Sequence, residues 1–365
     1  MIRNSLTMML LALVSAQAFA APEPELGAVA LHQALLDVGT DLRLMCVATH
    51  PDDEDGATLT YYRKKFGYKT FAVIATRGEG GQNEIGPELY EELGVIRTRE
   101  MMRASEHTGA ELHFLNYPEF GFSKSAEEAF EVWGKEETLR RMVRKIRELK
   151  PDVIITHHDE TSGHGHHQAV GRALMESFDL AGDPKAFPDE GDPWQPARLY
   201  WRDFTEKAEE TVLVPFSELD PVRGVTYAEM AANALREHKS QGMEYFINFF
   251  IMNRVGAHYT LVKEHKAGVQ GGGELDAPSG ELFEGLKDRV SQEGRKIAQE
   301  SAPNLTTERL KLLNEGMPRD AKERDKAEQV IIELARLQTE LSLNAKVSDT
   351  VVIPGQIITI ELEAI

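Results

Sequence analysis

The 365-residue chain contains a single cysteine, Cys46, so no disulfide bond can form within it. Positive charge is also scarce, because 41 Lys and Arg face 60 Asp and Glu and leave a net charge of -19. Nucleic acids attract basic patches, and this acidic balance therefore argues against a nucleic-acid partner and favours a neutral substrate. After residue 20 no stretch approaches the roughly 18 consecutive apolar residues of a membrane-spanning helix, so stable membrane insertion is not expected.

The N-terminal segment has a composition of its own. Met1 to Ala20 carries Arg3 as its only charge, an apolar run from Met8 to Val14, and the small-residue sequence Ala18-Phe19-Ala20. These features predict a secretory signal peptide that is cleaved near Ala20, so we expect an exported protein, periplasmic or secreted. An uncleaved N-terminal anchor helix is the alternative.

Apolar runs and amphipathic segments alternate through the first half of the chain. Hydrophobic residues make up 41% of the sequence, enough for a large core. Strands joined by helices through short links are typical of βαβ units, whose sheet is parallel. The sequence therefore predicts an α/β fold, a Rossmann-like three-layer sandwich with a mainly parallel sheet. The predicted strands lie at 44–48, 69–75, 111–115 and 152–156, and the predicted helices at 57–66, 88–109, 136–149 and 168–178.

The second half is chemically less informative. We predict a loop at 182–195, strands at 198–204 and 211–214, and a helix from Tyr227 to Gln241. Glycines 271–273 mark a hinge, and alternating polarity about Pro354-Gly355 is typical of a β-hairpin. The predicted organisation is a signal peptide (1–20), a catalytic domain (21–268), a helical appendage (269–345) and a β-hairpin (346–365) that packs on the body or begins a larger β-sandwich.

The first cluster of chemically active residues follows the first predicted strand. The apolar run Leu44–Ala48 leads into His50-Pro51-Asp52-Asp53-Glu54, at the strand end where α/β sheets bind ligands. Three adjacent acids need compensation by a helix N-terminus or a cation. His50 and Asp53, three residues apart, can offer a nitrogen and an oxygen to one metal ion, with Asp52 beside its open position. An acidic first helical turn with a capping Asp is the alternative.

A second cluster follows the strand at 152–156. Five histidines lie between His157 and His167, and histidine is the commonest neutral metal ligand in proteins. His164 and His167 are three residues apart, so one helical turn brings both to the same face. Because both clusters follow buried parallel strands, we expect them to converge at one edge of the sheet. A histidine-rich loop that binds metal adventitiously is the alternative.

These residues resemble the LmbE-like or PIG-L family of zinc-dependent N-acetylglucosaminyl deacetylases. The resemblance covers about residues 40–265 and is carried by 50–54 (HPDDE), 97–100 (RTRE) and 164–171 (HGHHQAVG). It implies one zinc ion per chain with His50, Asp53 and His167 as ligands. It also implies that Asp52 is the general base and that His164 assists the tetrahedral intermediate.

The chain departs from the family between the two histidines of the second motif. Relatives usually carry Pro-Asp there, whereas this chain has Gly165-His166, so His166 is a rival third ligand. His238, in the sequence His-Lys-Ser-Gln, also resembles the family, but a plain surface helix end is the favoured interpretation for it. Arg97 and Glu79 are further candidates for contact with the substrate, although an ordinary surface ion pair explains Arg97 as readily.

Together these residues predict an exported zinc-dependent hydrolase that removes the N-acetyl group from an N-acetylglucosamine-type sugar or glycoconjugate. Two histidines and one carboxylate leave a zinc position for water, from which Asp52 takes a proton during attack on the amide. One alternative is a metal-dependent sugar-binding module without turnover, which needs the ligands but no base. Another is an amidase or esterase for a different acylated substrate. The sequence leaves the exact substrate, the acyl group, the native metal and the oligomeric state open.

Overall fold

The computed structural model describes residues 25, 27–204, 211–265, 282–286, 288–289, 343–347 and 360–364. The predicted signal peptide and most of the predicted helical appendage lie outside these residues. None of the helices in the described part of the chain is long and apolar enough to cross a membrane.

The body of the protein is built around a seven-stranded mixed sheet. Its strand order is β3-β2-β1-β4-β5-β9-β6, and the first five strands run parallel while β9 and β6 pair antiparallel at the end. The described strands of the body are β1 (Arg43–Ala48), β2 (Lys69–Ile74), β3 (Glu111–Phe114), β4 (Val153–Thr156), β5 (Arg198–Asp203), β6 (Val212–Val214), β7 (Leu219–Asp220), β8 (Val225–Thr226) and β9 (Ala257–Glu264). The short β7 and β8 form a separate two-stranded sheet.

Helices cover both faces of this sheet. The described helices are α1 (Gly27–Gly39), α2 (Gly56–Phe66), α3 (Glu91–Thr108), α4 (Ala126–Trp133), α5 (Lys135–Leu149), α6 (Gly165–Leu180) and α7 (Tyr227–Leu235). A 3₁₀ turn at Lys239–Gln241, a second at Met243–Phe246 and a π-helical turn at Asn248–Met252 follow α7.

Strand β1 contributes to both hydrophobic cores because it is buried on both faces. Leu44, Cys46 and Ala48 pack with residues of α2, α3 and α7. Met45 and Val47 point the other way and pack with residues of α4, α5 and α6. A continuous apolar run, rather than an alternating one, is what such a strand requires. The predicted α/β sandwich with a mainly parallel sheet is confirmed.

The chain order of the strands reverses between β1 and β4, which pair directly from Leu44 with Val153 to Val47 with Thr156. In open α/β sheets this switch point opens a crevice at the carboxyl ends of the strands. His50 and His157, which follow these two strands, therefore lie at one edge, as the sequence predicted.

Several elements differ from the sequence-based expectation. Helix α7 ends at Leu235 instead of Gln241, because the side chains of His238 and Ser240 bind carboxylates on other elements. Helices α1 and α4 and strand β9 were not predicted. Leu282 and Phe283, expected in the appendage, are buried in the core of the body. At the C-terminus β10 (Leu343–Val347) pairs antiparallel with β11 (Ile360–Ala364).

Candidate metal centre and active site

The segment between β1 and α2 makes a tight turn that presents four consecutive acids. The N–H of Asp53 donates to the carbonyl of His50 over 3.2 Å, and Asp55 caps α2 by accepting from the N–H of Thr58 over 3.0 Å. The capping role expected of one acid thus belongs to Asp55. Asp52 adopts a φ of 113°, a region that residues with a side chain rarely occupy.

Each of the four acids has its own compensating partner, so the turn stores no unpaired carboxylate. One of the contacts, from His50 to Asp53, joins residues of the same turn, and the rest reach across the fold. The partners are Arg97 for Asp52 (2.8 Å), His50 and His167 for Asp53 (3.1 and 3.3 Å), His238 for Glu54 (2.9 Å) and Arg202 for Asp55 (2.5 Å).

Three donor atoms form a nearly equilateral triangle at the sheet edge. His50 Nδ1 lies 3.1 Å from Asp53 Oδ2 and 3.2 Å from His167 Nε2, and the latter two atoms are 3.3 Å apart. A tetrahedral ion with donors at about 2.0–2.2 Å requires donor separations of about 3.3–3.6 Å. The three separations lie at the lower limit of this range or 0.1–0.2 Å below it, close to what a zinc-sized ion needs.

The electrostatics of this triangle also favour a positive charge. Burial opposes charge on His50, yet the carboxylates of Asp53 and Glu119 raise the pKa of His50 to about 9. His167 and His50 in turn hold the pKa of Asp53 well below its usual value despite burial. The described part of the chain thus contains a cluster of nitrogen and oxygen donors able to hold a metal.

The second cluster is positioned by the N-terminus of α6. His164 is the N-cap, and its Nδ1 accepts from the N–H of His166 over 3.4 Å, so the neutral ring carries its proton on Nε2. Burial, with the nearby His167 and His50, lowers the pKa of His164 to about 4. A neutral ring with its proton on Nε2 still offers an N–H donor, and the role of His164 in the reaction stays a prediction.

Gly165 lies at a point of close backbone approach. Its N–H donates to the carbonyl of Ser123 over 2.8 Å, a bond that proline cannot make. An added Cβ would lie 2.2 Å from the carbonyl oxygen of Ser125, so only glycine fits this approach. The first turn of α6 is thereby pressed against the loop that precedes α4.

His166 points away from the donor triangle. Its ring is fully buried, stacks on Trp133 with centroids 4.9 Å apart, and places Nδ1 3.5 Å from Glu119 Oε1. The structure thus places His167, and not His166, beside Asp53. The ligand assignment itself stays a prediction.

Glu119 is a site residue that sequence reasoning missed. Its Oε2 lies 3.2 Å from His50 Nε2 and accepts from Thr76 Oγ1 over 3.0 Å. A ligating histidine commonly donates its second nitrogen to a carboxylate, which fixes the tautomer, and Glu119 is placed to do this for His50. Two further sets of three donors lie within 4.8 Å of one another: His50 with His164 and His167, and His50 with Glu119 and His166. The run Tyr117-Pro118-Glu119 after β3, at the same sheet edge, was the available signal.

Arg97 supports the Asp52 turn from α3. It is buried, and its guanidinium donates to Pro51 O over 2.6 Å, to Asp52 Oδ1 over 2.8 Å and to Gly78 O over 3.1 Å. It is therefore not the surface ion pair considered above. Burial raises the pKa of Asp52 to about 6 although Arg97 opposes this. Glu79 is half-buried and accepts from the N–H of Arg77 over 3.2 Å. Substrate contact by Arg97 or Glu79 stays a prediction.

His238 is fully buried rather than at a surface helix end. Its Nε2 lies 2.9 Å from Glu54 Oε1, while Glu54 Oε2 accepts from the N–H of Asp52 over 3.0 Å. Ser240 bonds Glu100 of α3 over 2.6 Å and anchors the same segment. The His-Lys-Ser-Gln sequence therefore braces the turn that carries Asp52.

A pocket of about 470 Å³ opens beside the donor triangle. Asp52, Asp53 and His167 are among the residues that line it. Its lining also comes from the end of β5, from α7 and from the turns that follow α7. A metal cluster, an adjacent carboxylate and a pocket at the switch point of a Rossmann-like sheet are the parts of a metal-dependent hydrolase.

Comparison with known proteins agrees with this class. The sequence profile described as "PIG-L: GlcNAc-PI de-N-acetylase" matches residues 45–178. A 1D-myo-inositol 2-acetamido-2-deoxy-alpha-D-glucopyranoside deacetylase from Geodermatophilus obscurus is 30% identical over 296 residues, which cover 67% of this chain and 98% of that protein. One of the same name from Streptomyces scabiei is 29% identical, with 67% of this chain and 90% of that protein covered. The chain belongs to the PIG-L family, as its motifs indicated.

More distant matches add little. A mycothiol S-conjugate amidase from Streptomyces coelicolor is 31% identical over 44% of this chain and 60% of its own length. A solved N,N'-diacetylchitobiose deacetylase from Pyrococcus horikoshii is 17% identical, covers 60% of this chain and 83% of its own, and gives a TM-score of 0.46. That likeness is too loose to inform function.

Proposed function

We propose that this protein is an exported, zinc-dependent deacetylase that hydrolyses the N-acetyl group of an amino-sugar or glycoconjugate. The observation that carries the proposal is the donor triangle of His50, Asp53 and His167, with the Asp52 carboxylate held beside it. The names of the relatives, deacetylases of an acetamido sugar linked to inositol, support the substrate class.

The residues of the chain divide the chemistry among them. Zinc held by the triangle would polarise the amide carbonyl and acidify a water molecule. Asp52 accepts the proton of the attacking water on Oδ2, because Arg97 engages Oδ1. His164 offers its Nε2–H to the developing negative charge on the amide oxygen. The C–N bond then breaks, the water oxygen leaves in acetate, and the proton passes to the amine.

The decisive experiment is acetate release from a panel of N-acetylated sugars, measured with and without a chelator. We expect release that stops when the metal is removed and returns when zinc is added. Sugar binding without acetate release from any member of the panel would favour the binding-module alternative and contradict the proposal.

The ligand assignment predicts a specific pattern of metal loss. His50→Ala, Asp53→Ala and His167→Ala should each lower zinc affinity by orders of magnitude, because too few donors remain. His166→Ala is the matched control and should keep one zinc per chain, measured by metal analysis after dialysis. Full zinc content in His167→Ala together with loss in His166→Ala would reverse the assignment of the third ligand.

A further inference from the structure

The exposed aromatic residues of this protein are concentrated at one edge of the sheet. The six most exposed aromatic side chains in the described part of the chain all belong to segments at the edge that carries the donor triangle. We call this set the aromatic rim, and its members are Tyr90, Phe122, Phe204, Tyr245, Phe246 and Phe249. Single exposed apolar residues are ordinary on a protein surface, whereas a concentration of them at a functional edge indicates contact with another molecule.

The topology of the sheet accounts for the position of the rim. Tyr90 lies in the connection after β2, Phe122 in the connection after β3, and Phe204 directly after β5, and these parallel strands all end at the donor-triangle edge. The other three members lie in the turns after α7, where Phe246 lines the pocket together with Asp52.

The rim flanks the donor triangle from both helical layers. Phe122 precedes α4 and places its ring 5.3 Å from that of His164, while Phe204 places its ring 5.6 Å from that of His157. Helices α4 and α7 pack on opposite faces of the sheet, so Phe122 and Phe246 approach the edge from opposite sides. A ligand that covers both parts of the rim must therefore extend across the edge.

The pocket alone does not account for the rim. Phe204 and Phe246 contribute to its described lining, but Tyr90, Phe122 and the ring pair Tyr245 and Phe249 do not. Tyr90, Phe122 and Tyr245 are 72%, 80% and 84% exposed. A substrate confined to the pocket would leave these rings in water, so the rim points to a ligand that continues beyond the pocket.

Two of the rim segments are fastened to each other. The N–H of Glu84 donates to Ser240 O over 2.9 Å, and Gln241 Nε2 donates to Gln82 O over 2.8 Å. These bonds join the connection that carries Tyr90 to the segment just before Tyr245. Rings held in place before binding lose little conformational freedom when a ligand covers them.

The charges near the rim favour a neutral ligand. Exposed Glu91 and Glu244 are sequence neighbours of rim residues, whereas Lys124 is an exposed cation near Phe122. The whole chain carries a net charge of -19. Anionic membrane surfaces are recognised by clusters of Lys and Arg, which this mixture does not provide. Neutral sugar rings have apolar faces that can cover aromatic rings, and their hydroxyl groups can donate to carboxylates.

We propose that the aromatic rim binds a neutral glycan chain of several N-acetylated sugars and that the enzyme removes acetyl groups from units within such a chain. The inference rests on the proposed deacetylation and narrows its substrate class from any acetylated amino-sugar to a chain. The reaction is balanced as before: a water oxygen joins the acetyl carbon, the C–N bond breaks, acetate leaves, and the amine that stays on the chain takes the proton.

The test is a length series of β-1,4-linked N-acetylglucosamine, from the monosaccharide to the hexasaccharide. Binding is measured by calorimetry on the zinc-loaded, full-length Asp52→Asn protein, in which turnover is slowed. Each ring covered by a sugar should tighten binding about threefold to tenfold, so the tetrasaccharide should bind at least tenfold more tightly than the monosaccharide. Acetate release by the parent protein should show the same gain in kcat/KM, mainly through KM.

Serine substitutions separate the rim from other exposed apolar residues. Tyr90→Ser and Tyr245→Ser should each lower the ratio of tetrasaccharide to monosaccharide affinity about threefold to tenfold. Leu219→Ser is the matched control, because Leu219 is 60% exposed and follows Glu218, which contacts Lys65 at the far end of α2. This control should leave the ratio unchanged.

The outcomes distinguish this inference from the proposed function. Acetate release with an affinity that stays level along the series would overturn the glycan chain and keep the deacetylase. Affinity that rises with length, without acetate release from any member by the parent protein, would keep the rim and overturn the deacetylase. Sedimentation with phosphatidylcholine vesicles that Tyr245→Ser abolishes, together with level glycan affinity, would assign the rim to a lipid surface and overturn the inference.

Discussion

At the scale of single residues, Asp52 combines an unfavourable backbone conformation with a carboxylate that needs a compensating charge. A φ of 113° costs a residue other than glycine about 1–3 kcal/mol, and such a conformation persists only where the surroundings over-determine it. Arg97 fixes Pro51 O and the Asp52 carboxylate, and Glu54 accepts from the N–H of Asp52. The turn thus aims one carboxylate at the donor triangle while its neighbour Asp53 takes part in the triangle.

Replacing that carboxylate by its amide tests the role of Asp52. Asp52→Asn keeps the shape and tolerates the positive φ, so zinc should stay bound. Loss of a general base is typically worth ~10² to 10⁴ in rate, and kcat should fall by about that factor while KM changes little. Steady-state kinetics and metal analysis of the same preparation give both quantities. Parent-level turnover with zinc present would remove Asp52 from the mechanism.

How much of the site could be predicted from the sequence depends on how far apart along the chain its interacting residues lie. His50, Asp53, His164 and His167 follow predicted strands, so strand order alone was enough to bring them together. Glu119 and His238 act through contacts across 69 and 184 positions, with His50 and Glu54 respectively. The His-Lys-Ser-Gln sequence and the end of β3 mark the neighbourhoods of His238 and Glu119, but only the tertiary fold shows which residues they contact.

At the scale of elements, the first turn of α6 depends on the loop before α4. Gly165 lies at the first position of α6 against Ser123 and Ser125, which places His164 and His167 at the sheet edge. Helix α4 itself escaped prediction because it has only eight residues, which is short for a helix recognised from its periodicity. Strand β9 was missed because its antiparallel partner β5 lies more than fifty residues earlier.

A pair of glycine substitutions tests this dependence. Gly165→Ala puts a Cβ 2.2 Å from the carbonyl oxygen of Ser125, and such overpacking typically costs about 1–3 kcal/mol. Because the start of α6 must shift, the zinc affinity should decrease together with the free energy of unfolding. Gly56→Ala at the first position of α2 meets only Thr108 Cγ2 at 3.5 Å and should be neutral or slightly stabilising. Denaturant unfolding and zinc titration of both variants measure these effects. Equal stability and equal zinc affinity in the two variants would contradict the predicted dependence of α6 on the loop.

At the scale of the whole molecule, the far end of the sheet is closed by a charged cluster. Arg289 donates to Asp41 over 2.8 Å and to Asp152 over 2.8 Å, which ties residues 288–289 to the starts of β1 and β4. Burial acts to raise the pKa of Asp41, but Arg43, Lys69 and Arg289 outweigh it and lower that pKa from 3.8 to about 2.

This shift links stability to pH. A carboxyl whose pKa is lowered on folding stabilises the native state above its unfolded pKa and loses that contribution as the pH falls through the folded value. Asp41 should therefore contribute about 2 kcal/mol at neutral pH, lost between about pH 4 and pH 2. Asp41→Asn should lower the free energy of unfolding at pH 7. Near pH 2 the variant and the parent should have the same free energy of unfolding. Glu131→Gln, which removes an exposed carboxylate, is the control and should follow the parent throughout.

Export is a separate prediction for the whole chain. If residues 1–20 act as a signal peptide, the mature protein should begin at Ala21 and accumulate outside the cytoplasm. N-terminal sequencing of protein from fractionated cells measures this directly. A cytoplasmic product that still begins at Met1 would contradict it.

The rate at which Cys46 reacts with a thiol reagent can report how often the central sheet opens. The thiol is fully buried in β1, the strand shared by both cores, and burial raises its pKa above the ordinary value. Thiol reagents react with the exposed thiolate, so they can reach Cys46 only while the central sheet is open. Since the chain has no other cysteine, one labelling trace would count those openings without a background from other sites. Slower labelling after zinc is added would then measure how strongly an ion at the sheet edge holds the centre of the sheet closed.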